Sequence, residues 1–443
     1  MYFAFEDKFN LQNFINCKDI NKSTIPRFST SPLLTSSQIY FQENDPNEMV
    51  YFNSTDNIDG DYIISASVNH SPDDWTGHDP RVETFFSHLN EKYLKDLRDN
   101  KAYLMLDQSL EGYQTPWLWD YFHQQCAEWK VSPIRMIYVT GNMIADDVYE
   151  KWANNNNIIE RIKVIPYAHF ELDMGMTAYG RSKGLKATPL PSFQDHINYK
   201  TNNSEKLKSF ACLNKRIRPH RVWFYNYLYR SGLLNKGLVS MNEFPKHLYN
   251  WEGKMIYDNE LDEITKILPL QVYNKPNDEL DDSFYINRFN DEICLDTFVT
   301  VISEAHCGDG DQTMFLSEKT FKLIACRHPF MFLGNKDSLK MMRNIGYKTF
   351  DGFIDEGYDS LPTHERLEYL IESIRKVDNI KNKIEWFKSM EDIIEHNYNT
   401  FVSKQFAPPE AYNQLKRYCI KTTKKNTELI HNEIIKNKKD KLI

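Results

Sequence analysis

Short apolar runs alternate with amphipathic segments along most of this chain. The apolar runs predict four buried strands in the first half, at 61–68, 102–107, 134–140 and 162–165. Segments with helical spacing accompany them, at 81–96, 117–129 and 145–154. Strands that alternate with helices of about 10–15 residues indicate a parallel sheet with helices on both faces.

The same alternation begins again in the second half. The strands predicted there are at 210–213, 298–302, 330–333 and 348–350. The predicted helices are at 219–229, 317–325, 337–344, 363–403 and 408–436. The fold class is therefore predicted to be α/β, with two Rossmann-like domains facing a central cleft and with C-terminal helices.

The same pattern predicts the domain boundaries. Residues 1–58 are polar and irregular, which indicates an N-terminal extension packed on the first domain. The first Rossmann-like domain is predicted at 59–185 and the second at 207–405. A linker is predicted at 186–206, where Pro, Ser and Asn interrupt the periodicity, and a basic C-terminal helix at 406–443.

Composition and charge exclude some classes of protein. A chain of 443 residues exceeds the size at which one core keeps growing, which agrees with two domains. A formal net charge of −8 argues against a protein that coats nucleic acid. The seven cysteines are scattered, which favours free thiols in a reducing compartment. With neither a signal peptide nor a membrane-spanning run in sight, a cytoplasmic location is expected.

A basic cluster follows the first predicted strand of the second half. Residues 215–221 carry five basic or imidazole side chains, and a helix is predicted to open at Pro219. Arginine can bind phosphate oxygens bidentately, and a helix N-terminus attracts anions. The candidate binding residues here are Asn214, Arg216, Arg218 and Arg221, of which the three arginines are the candidate phosphate ligands. A solvated basic turn is the alternative interpretation.

A second polar cluster follows strand 298–302 and opens the next predicted helix. Its candidate residues are Glu304, Ser317, Glu318, Lys319 and Lys322. The serine is a good N-cap, and a carboxylate here can accept hydrogen bonds from the vicinal hydroxyls of a ribose or a sugar. The lysines can face phosphates. Ordinary helix capping with a Glu–Lys pair one turn apart is the alternative.

These two clusters carry a resemblance to a known family. The stretch from Ser317 to Gly334 resembles the donor-site segment of two-domain (GT-B type) glycosyltransferases, among them the α1,3-fucosyltransferases and exostosin-like enzymes. Residues 213–221 are similar to the opening of the donor domain in related phage and bacterial glycosyltransferase-like proteins. The resemblance implies a nucleotide-sugar donor bound by the second domain, with Glu318 and Lys319 as donor-binding residues, and we expect the nucleotide to be GDP or UDP. It also implies that the first domain binds the acceptor.

The loop between the two clusters contains a formal Asp-x-Asp pair, Asp309 and Asp311. In single-domain glycosyltransferases such a pair holds a divalent metal against the diphosphate. The same pattern recurs at 59–61, which favours a solvated turn, and no metal cofactor is predicted. Cationic side chains are expected to neutralise the leaving diphosphate. His306 and His328 are left open between structural and functional roles.

Candidate acceptor-side residues follow the strands of the first half. A base that deprotonates a hydroxyl is expected to be a carboxylate or histidine at a strand end. The candidate bases are Asp107 and Glu111, and the candidate acceptor-binding residues are His70, Trp117 and Asn142. The alternative is that the aspartate caps a helix and that the tryptophan fills the core.

The sequence thus predicts a glycosyltransferase that moves a sugar from a nucleoside diphosphate to a hydroxyl of a glycan or small molecule. Two other classes stay open. One is a glycosyltransferase that modifies a hydroxylated base in viral DNA, although the negative net charge disfavours nucleic acid. The other is a nucleotide-binding adaptor without turnover. The basic tail at 416–441 is interpreted as a solvated helix face, with an anionic polymer or membrane as the alternative contact.

Overall fold

The computed structural model forms two compact units. Unit 1 consists of Met1–His169, Gln312–Phe315 and Phe406–Ile443, and unit 2 consists of Phe170–Asp311 and Leu316–Gln405. The residues that the structure describes are 1–5, 31–34, 37, 44–45, 48–53, 58, 60–67, 85–112, 117–182, 189–244, 250–251, 254–256, 258–273, 289, 291–406 and 408–420. No described helix combines the length and apolar character that crossing a membrane requires.

Unit 1 is built on a six-stranded parallel sheet. Its strands are β1 (Tyr2–Phe5), β2 (Val50–Asn53), β3 (Tyr62–Ser67), β4 (Ala102–Gln108), β5 (Met136–Thr140) and β6 (Lys163–Pro166). Their spatial order is β2-β1-β3-β4-β5-β6, and every neighbouring pair is parallel. β4 and β5 are buried at every position, as expected for central strands of a sheet covered on both faces.

Amphipathic helices supply the rest of the core of unit 1. They are α1 (Glu91–Arg98), α2 (Leu118–Trp129) and α3 (Ala145–Asn155), and residues 410–420 form a further helix. Asn90 caps α1 by accepting a hydrogen bond from the Tyr93 backbone N–H. Trp119 packs against Tyr138 of β5 and Tyr149 of α3, so aromatic side chains join the helices to the sheet.

The first 58 residues contribute two strands, whereas the sequence predicted only an irregular extension there. β1 lies inside the sheet, between β2 and β3, and Phe3 and Ala4 are fully buried. The difference arises because the two strands are too short to show a hydrophobic period. Each strand has only four residues, and β1 is followed at once by Glu6, Asp7 and Lys8, so neither run stands out by periodicity.

Unit 2 contains a four-stranded parallel sheet. Its strands are β7 (Lys208–Cys212), β8 (Gly237–Val239), β11 (Thr297–Ser303) and β12 (Phe330–Leu333). Their spatial order is β12-β11-β7-β8. A two-stranded antiparallel ribbon, β9 (Asn250–Trp251) with β10 (Lys254–Met255), stands apart from this sheet. A parallel α/β sheet in each unit confirms the predicted α/β class with two Rossmann-like parts.

Helices account for most of the remaining residues of unit 2. They are α4 (His169–Ser182), α5 (Phe193–Asn202), α6 (Pro219–Arg230), α7 (Asp258–Thr265), α8 (Asp291–Asp296), α9 (Glu318–Ala325), α10 (Ser338–Asn344), α11 (Thr363–Asp378), α12 (Lys383–Lys388) and α13 (Glu391–Ser403). Two groups of helices contact the sheet. One is α11, which contacts β7 and β12 and carries α6 on it, and the other is the pair α8 and α9, which contact β11 and pack against α5 and α13.

Three features of unit 2 differ from the sequence prediction. The predicted linker, 186–206, contains α5, which begins with a capping box between Ser192 and Asp195, and the boundary between the units lies earlier, at His169. Residues 348–350 form no strand, and an isolated bridge joins Asp351 to Ile354 instead. The helical pattern at 363–403 is divided into α11, α12 and α13. Of the predicted helix 408–436, residues after 420 lie outside the described part.

Candidate functional site

The strand order of unit 2 creates a topological switch point. The chain enters the sheet at β7, adds β8 on one side, and then adds β11 and β12 on the other. The direction of winding therefore reverses between β7 and β11. Ligands of open parallel sheets bind beyond the carboxyl ends of the strands at such a point. Both predicted donor-binding clusters begin here, because 213–218 follows β7 and Glu304 follows β11.

Glu304 connects the two clusters. Its carboxylate Oε1 accepts hydrogen bonds from the Ser317 backbone N–H at 3.0 Å and from the Thr320 hydroxyl at 2.8 Å. Its backbone carbonyl lies 3.1 Å from His220 Nε2 and accepts from Arg221 Nη2 at 3.1 Å. Glu304 is 1% exposed, so these contacts are shielded from water. One buried residue therefore fixes the start of α9 and the start of α6 at the same place.

The arginines of the first cluster occupy different environments. Arg221 is buried, and its guanidinium donates to the backbone carbonyls of Arg216 and Ser303, each at 2.8 Å, as well as to Glu304. Arg221 therefore positions the basic segment against the end of β11. Arg216 is exposed and Arg218 is partly exposed. Phosphate binding by these two arginines stays a prediction.

Positive charge dominates this edge of the sheet. Burial, together with the charges of Arg218 and Arg221, lowers the pKa of His306 to about 4. Burial and Arg221 likewise lower the pKa of His220 well below its usual value. Both histidines are therefore neutral at pH 7, and the local cations are the arginines and lysines. Such a surface favours an anionic ligand.

The start of α9 presents an acidic and a basic side chain together. Ser317 caps the helix by accepting from the Lys319 backbone N–H, and Lys319 Nζ lies 2.6 Å from a carboxylate oxygen of Glu318. Burial by itself raises the pKa of Glu318, but Lys319 and Lys322 outweigh that effect and lower it to about 2. Glu318 is therefore ionised at neutral pH and can accept hydrogen bonds from hydroxyl groups.

Two of the remaining predicted residues of unit 2 take part in structural contacts. Asn214 is buried and bonds through its backbone N–H to the Ser240 hydroxyl, which ties the end of β7 to the segment after β8. Asp309 accepts from the backbone N–H of Thr363 at 2.8 Å and from its hydroxyl at 2.7 Å, so it caps the start of α11. Asp311 is exposed.

Sequence reasoning missed two residues of this site. Thr320 binds Glu304 as described above, and Asp173 of α4 lies close enough to Lys322 for its charge to act on the carboxyl group. Burial raises the pKa of Asp173, and Lys322 opposes that effect. Neither residue directly follows a strand of unit 2, since Thr320 lies inside α9 and Asp173 lies in α4, so the strand-end rule gave no signal for either.

The candidate bases of unit 1 differ in their access to water. Asp107 is fully buried, where its carboxylate accepts hydrogen bonds from the backbone N–H groups of Leu33 and Ser109, each at 3.0 Å. Burial raises the pKa of Asp107. Its position is therefore structural, because it anchors a segment that precedes β2. Glu111 is partly exposed, and its backbone carbonyl accepts from the Gly141 N–H at 3.0 Å.

The predicted acceptor-binding residues have separate positions. Trp117 is partly exposed beside Tyr121, with the two rings in an edge-to-face arrangement, and its role stays a prediction. His70 lies outside the described residues. Asn142 is fully buried, and its side chain donates to the Gln312 carbonyl at 2.7 Å and accepts from the Met314 N–H at 2.8 Å. It holds residues 312–315, the short segment that returns to unit 1.

Gly141 provides a test of how tightly residues 312–315 are held. A Cβ atom at position 141 would lie 2.6 Å from the Phe315 ring, 2.7 Å from the Ser109 carbonyl and 2.8 Å from the Glu111 carbonyl. Gly141→Ala is expected to lower the free energy of unfolding by about 2 kcal/mol, since two of these neighbours are backbone atoms. Urea denaturation measures the change. Gly308→Ala is the control, because a Cβ there meets nothing within 4 Å, and equal stabilities for the two variants would contradict the prediction.

Comparison with known proteins identifies no family. No protein-family model matches this sequence, and no curated protein matches it. Among solved structures, the chain is similar to an alpha,alpha-trehalose-phosphate synthase (UDP-forming) from Burkholderia vietnamiensis, over 71% of each chain, with 8% identity and a TM-score of 0.32. A likeness of this size establishes neither a family nor a function. The functional conclusion therefore rests on the residues of the site.

Proposed function

We propose that this protein is a glycosyltransferase that binds a nucleoside diphosphate sugar in unit 2, at the carboxyl ends of β7 and β11. The observation that carries the proposal is the double attachment of Glu304, which brings the basic segment before α6 and the Glu318–Lys319 pair of α9 to one switch point. The resemblance of 317–334 to glycosyltransferase donor sites supports the same assignment.

In this proposal the diphosphate is held by cations and helix N-termini. Arg216, Arg218 and Lys319 supply the positive charge, and the N-termini of α6 and α9 add the positive ends of their helix dipoles. As the bond to the sugar breaks, negative charge grows on the leaving diphosphate. Fixed cations stabilise that charge more than they stabilise the bound donor, which lowers the barrier. The ionised Glu318 accepts hydrogen bonds from the ribose hydroxyls.

The transfer step needs a base for the acceptor. The acceptor oxygen attacks the anomeric carbon of the sugar, the bond from that carbon to the diphosphate oxygen breaks, and the hydroxyl proton passes to a carboxylate. We assign this role to Glu111, because it is the partly exposed member of the two candidate bases. Transfer through an oxocarbenium-like transition state leaves the diphosphate as the product that Arg218 and Lys319 retain.

Lys319→Met tests the diphosphate contact directly. Methionine keeps the aliphatic stem and removes the ammonium group, and a charge-assisted hydrogen bond contributes about 1.5–3 kcal/mol. The nucleoside diphosphate is therefore expected to bind about 10- to 100-fold more weakly, as measured by isothermal titration calorimetry. Lys340→Met, at an exposed lysine in the first turn of α10, is the matched control. If both variants bind the nucleoside diphosphate equally well, Lys319 does not contact it.

A nucleotide-binding protein without transfer activity is the second candidate. The full burial of Asp107, one of the two candidate bases, is the observation that favours it. Diphosphate release from UDP- and GDP-sugars, with and without added hydroxyl acceptors, separates the two functions. Release by the wild type that is lost in Glu318→Ala supports the enzyme. Nucleotide binding without release under any of these conditions supports the second candidate.

A further inference from the structure

Unit 2 contains a pocket that begins at the switch point and continues beneath α9. Leu213, directly after β7, and Ser303, the last residue of β11, line one end of it. Thr300 of β11 and Cys326, which ends α9, line it further along the strand. The volume is about 80 Å³. The pocket is therefore a recess that leads from the proposed phosphate site towards the interior of the unit.

The lining combines apolar side chains with two buried hydroxyl groups that lack hydrogen-bond partners among the described residues. Ile293 and Leu323 supply walls on α8 and α9. Thr300, which is 9% exposed, and Ser303, which is 2% exposed, each bury a hydroxyl oxygen that has no hydrogen-bond partner among the described residues. A buried hydroxyl without a partner is costly, so such a group points to a ligand that bonds to it. Flat apolar faces with a polar edge are the properties of a nucleobase.

The pocket also adjoins the residues assigned to the diphosphate. Lys319 and Lys322 line it on the α9 side, one helical turn apart. The first of these belongs to the proposed phosphate site. A ligand that fills the recess and extends to the lysines is therefore a ring joined to an anion, as in a nucleotide. The recess is therefore part of the same binding site, and the assignment of its ligand rests on the proposed function.

The volume restricts the size of the ring. An apolar cavity of about 150 Å³ accommodates one benzene ring, so a recess of about 80 Å³ has room for no more than one ring. A single pyrimidine ring with its exocyclic atoms is of this size, whereas the fused double ring of a purine is larger. We propose that the recess binds the base of the donor nucleotide, selects a pyrimidine, and recognises its polar edge through the Thr300 hydroxyl.

Titration calorimetry on the wild-type chain tests the selection, with UDP, CDP, GDP and inorganic pyrophosphate as ligands. At least one pyrimidine nucleotide is expected to bind about tenfold more tightly than GDP and more tightly than pyrophosphate. GDP binding as tightly as both pyrimidine nucleotides, or pyrophosphate binding as tightly as every nucleotide, overturns this inference and leaves the proposed function standing. Absence of binding by all four ligands overturns the proposed function itself.

Thr300→Val tests the polar contact. Valine keeps the shape of threonine and removes an unpartnered hydroxyl, so the variant is expected to fold. The favoured nucleotide is expected to bind about five- to tenfold more weakly, with pyrophosphate binding unchanged. Thr300→Ser, which keeps the hydroxyl, is expected to bind like the wild type. Unchanged nucleotide binding in Thr300→Val, or an equal loss for pyrophosphate, contradicts the role of Thr300. The wild-type ligand series decides the selection independently of this variant.

Discussion

Replacing Glu304 with alanine is expected to lower the free energy of unfolding by about 3 kcal/mol and to abolish measurable nucleotide binding. The substitution leaves the Ser317 N–H and the Thr320 hydroxyl without their buried acceptor. The start of α9, with Glu318 and Lys319, then loses its attachment to β11. Urea denaturation measures the stability, and titration calorimetry with a nucleoside diphosphate measures the binding.

Asp359→Ala is the matched control for Glu304→Ala. The carboxylate of Asp359 accepts from the backbone N–H groups of Leu339 at 2.9 Å and Lys340 at 3.1 Å, so it fixes the start of α10. This control is expected to lose comparable stability and to keep nucleotide affinity within about twofold, because α10 supplies no proposed ligand. If both variants bind nucleotide equally well, the switch point of unit 2 is not the nucleotide site.

Glu111→Gln is expected to lower the turnover number by about 10²- to 10⁴-fold, the usual contribution of a general base. Glutamine preserves the size of the side chain and cannot accept a proton. Donor affinity is expected to stay unchanged, since Glu111 belongs to unit 1 and the proposed donor ligands belong to unit 2. Steady-state kinetics with a saturating donor, monitored by diphosphate release, measures the change.

Glu91→Gln is the control for that variant, because Glu91 is an exposed glutamate at the start of α1. It is expected to turn over at the wild-type rate. If the Glu111→Gln enzyme keeps more than about a tenth of the wild-type turnover rate, another residue is the base. A loss that disappears at high pH would instead indicate that the hydroxyl ionises without help from a base.

The buried strands and their helices were predictable because their periodicity is strong. β4 and β5 differ from their predicted limits by at most two residues, and the strand predicted at 330–333 agrees with β12. The N-terminal strands were not predictable, since a four-residue run such as β1 has too few positions to show a period. Its place inside the sheet is set by pairing with β2 and β3, which are distant in sequence.

The cluster at the switch point of unit 2 was also predictable from sequence. Polar residues after β7 and β11 were selected by the rule that strand ends meet at one edge, and the structure does bring Arg221, Glu304 and Ser317 together. The sequence could not show which of the arginines makes buried structural contacts. Arg221 and Arg218 are the same residue type in the same basic segment. The fold places the guanidinium of Arg221 against buried carbonyl groups, and this contact is not visible in the sequence.

The environments of the candidate residues of unit 1 were less predictable for a physical reason. Asp107 has the same sequence context as a catalytic carboxylate, a polar residue at the end of an apolar strand. Its burial depends on the backbone of Leu33, more than seventy positions earlier, which supplies one of its hydrogen-bond donors. Asn142 is similar, since its partners lie at 312–314. Contacts over such separations leave no local pattern in the chain.

The return of residues 312–315 to unit 1 affects how the protein can be divided. The chain leaves unit 2 after Asp311, and it re-enters that unit at Leu316, directly before the cap of α9. Neither unit is therefore a continuous stretch of sequence. A fragment cut at 170 and 405 would carry Met314 and Phe315 without Asn142, Gly112 and Gly141, which bind and seat them in the intact chain. The helix that begins three residues after Phe315 would then start from an unanchored apolar loop.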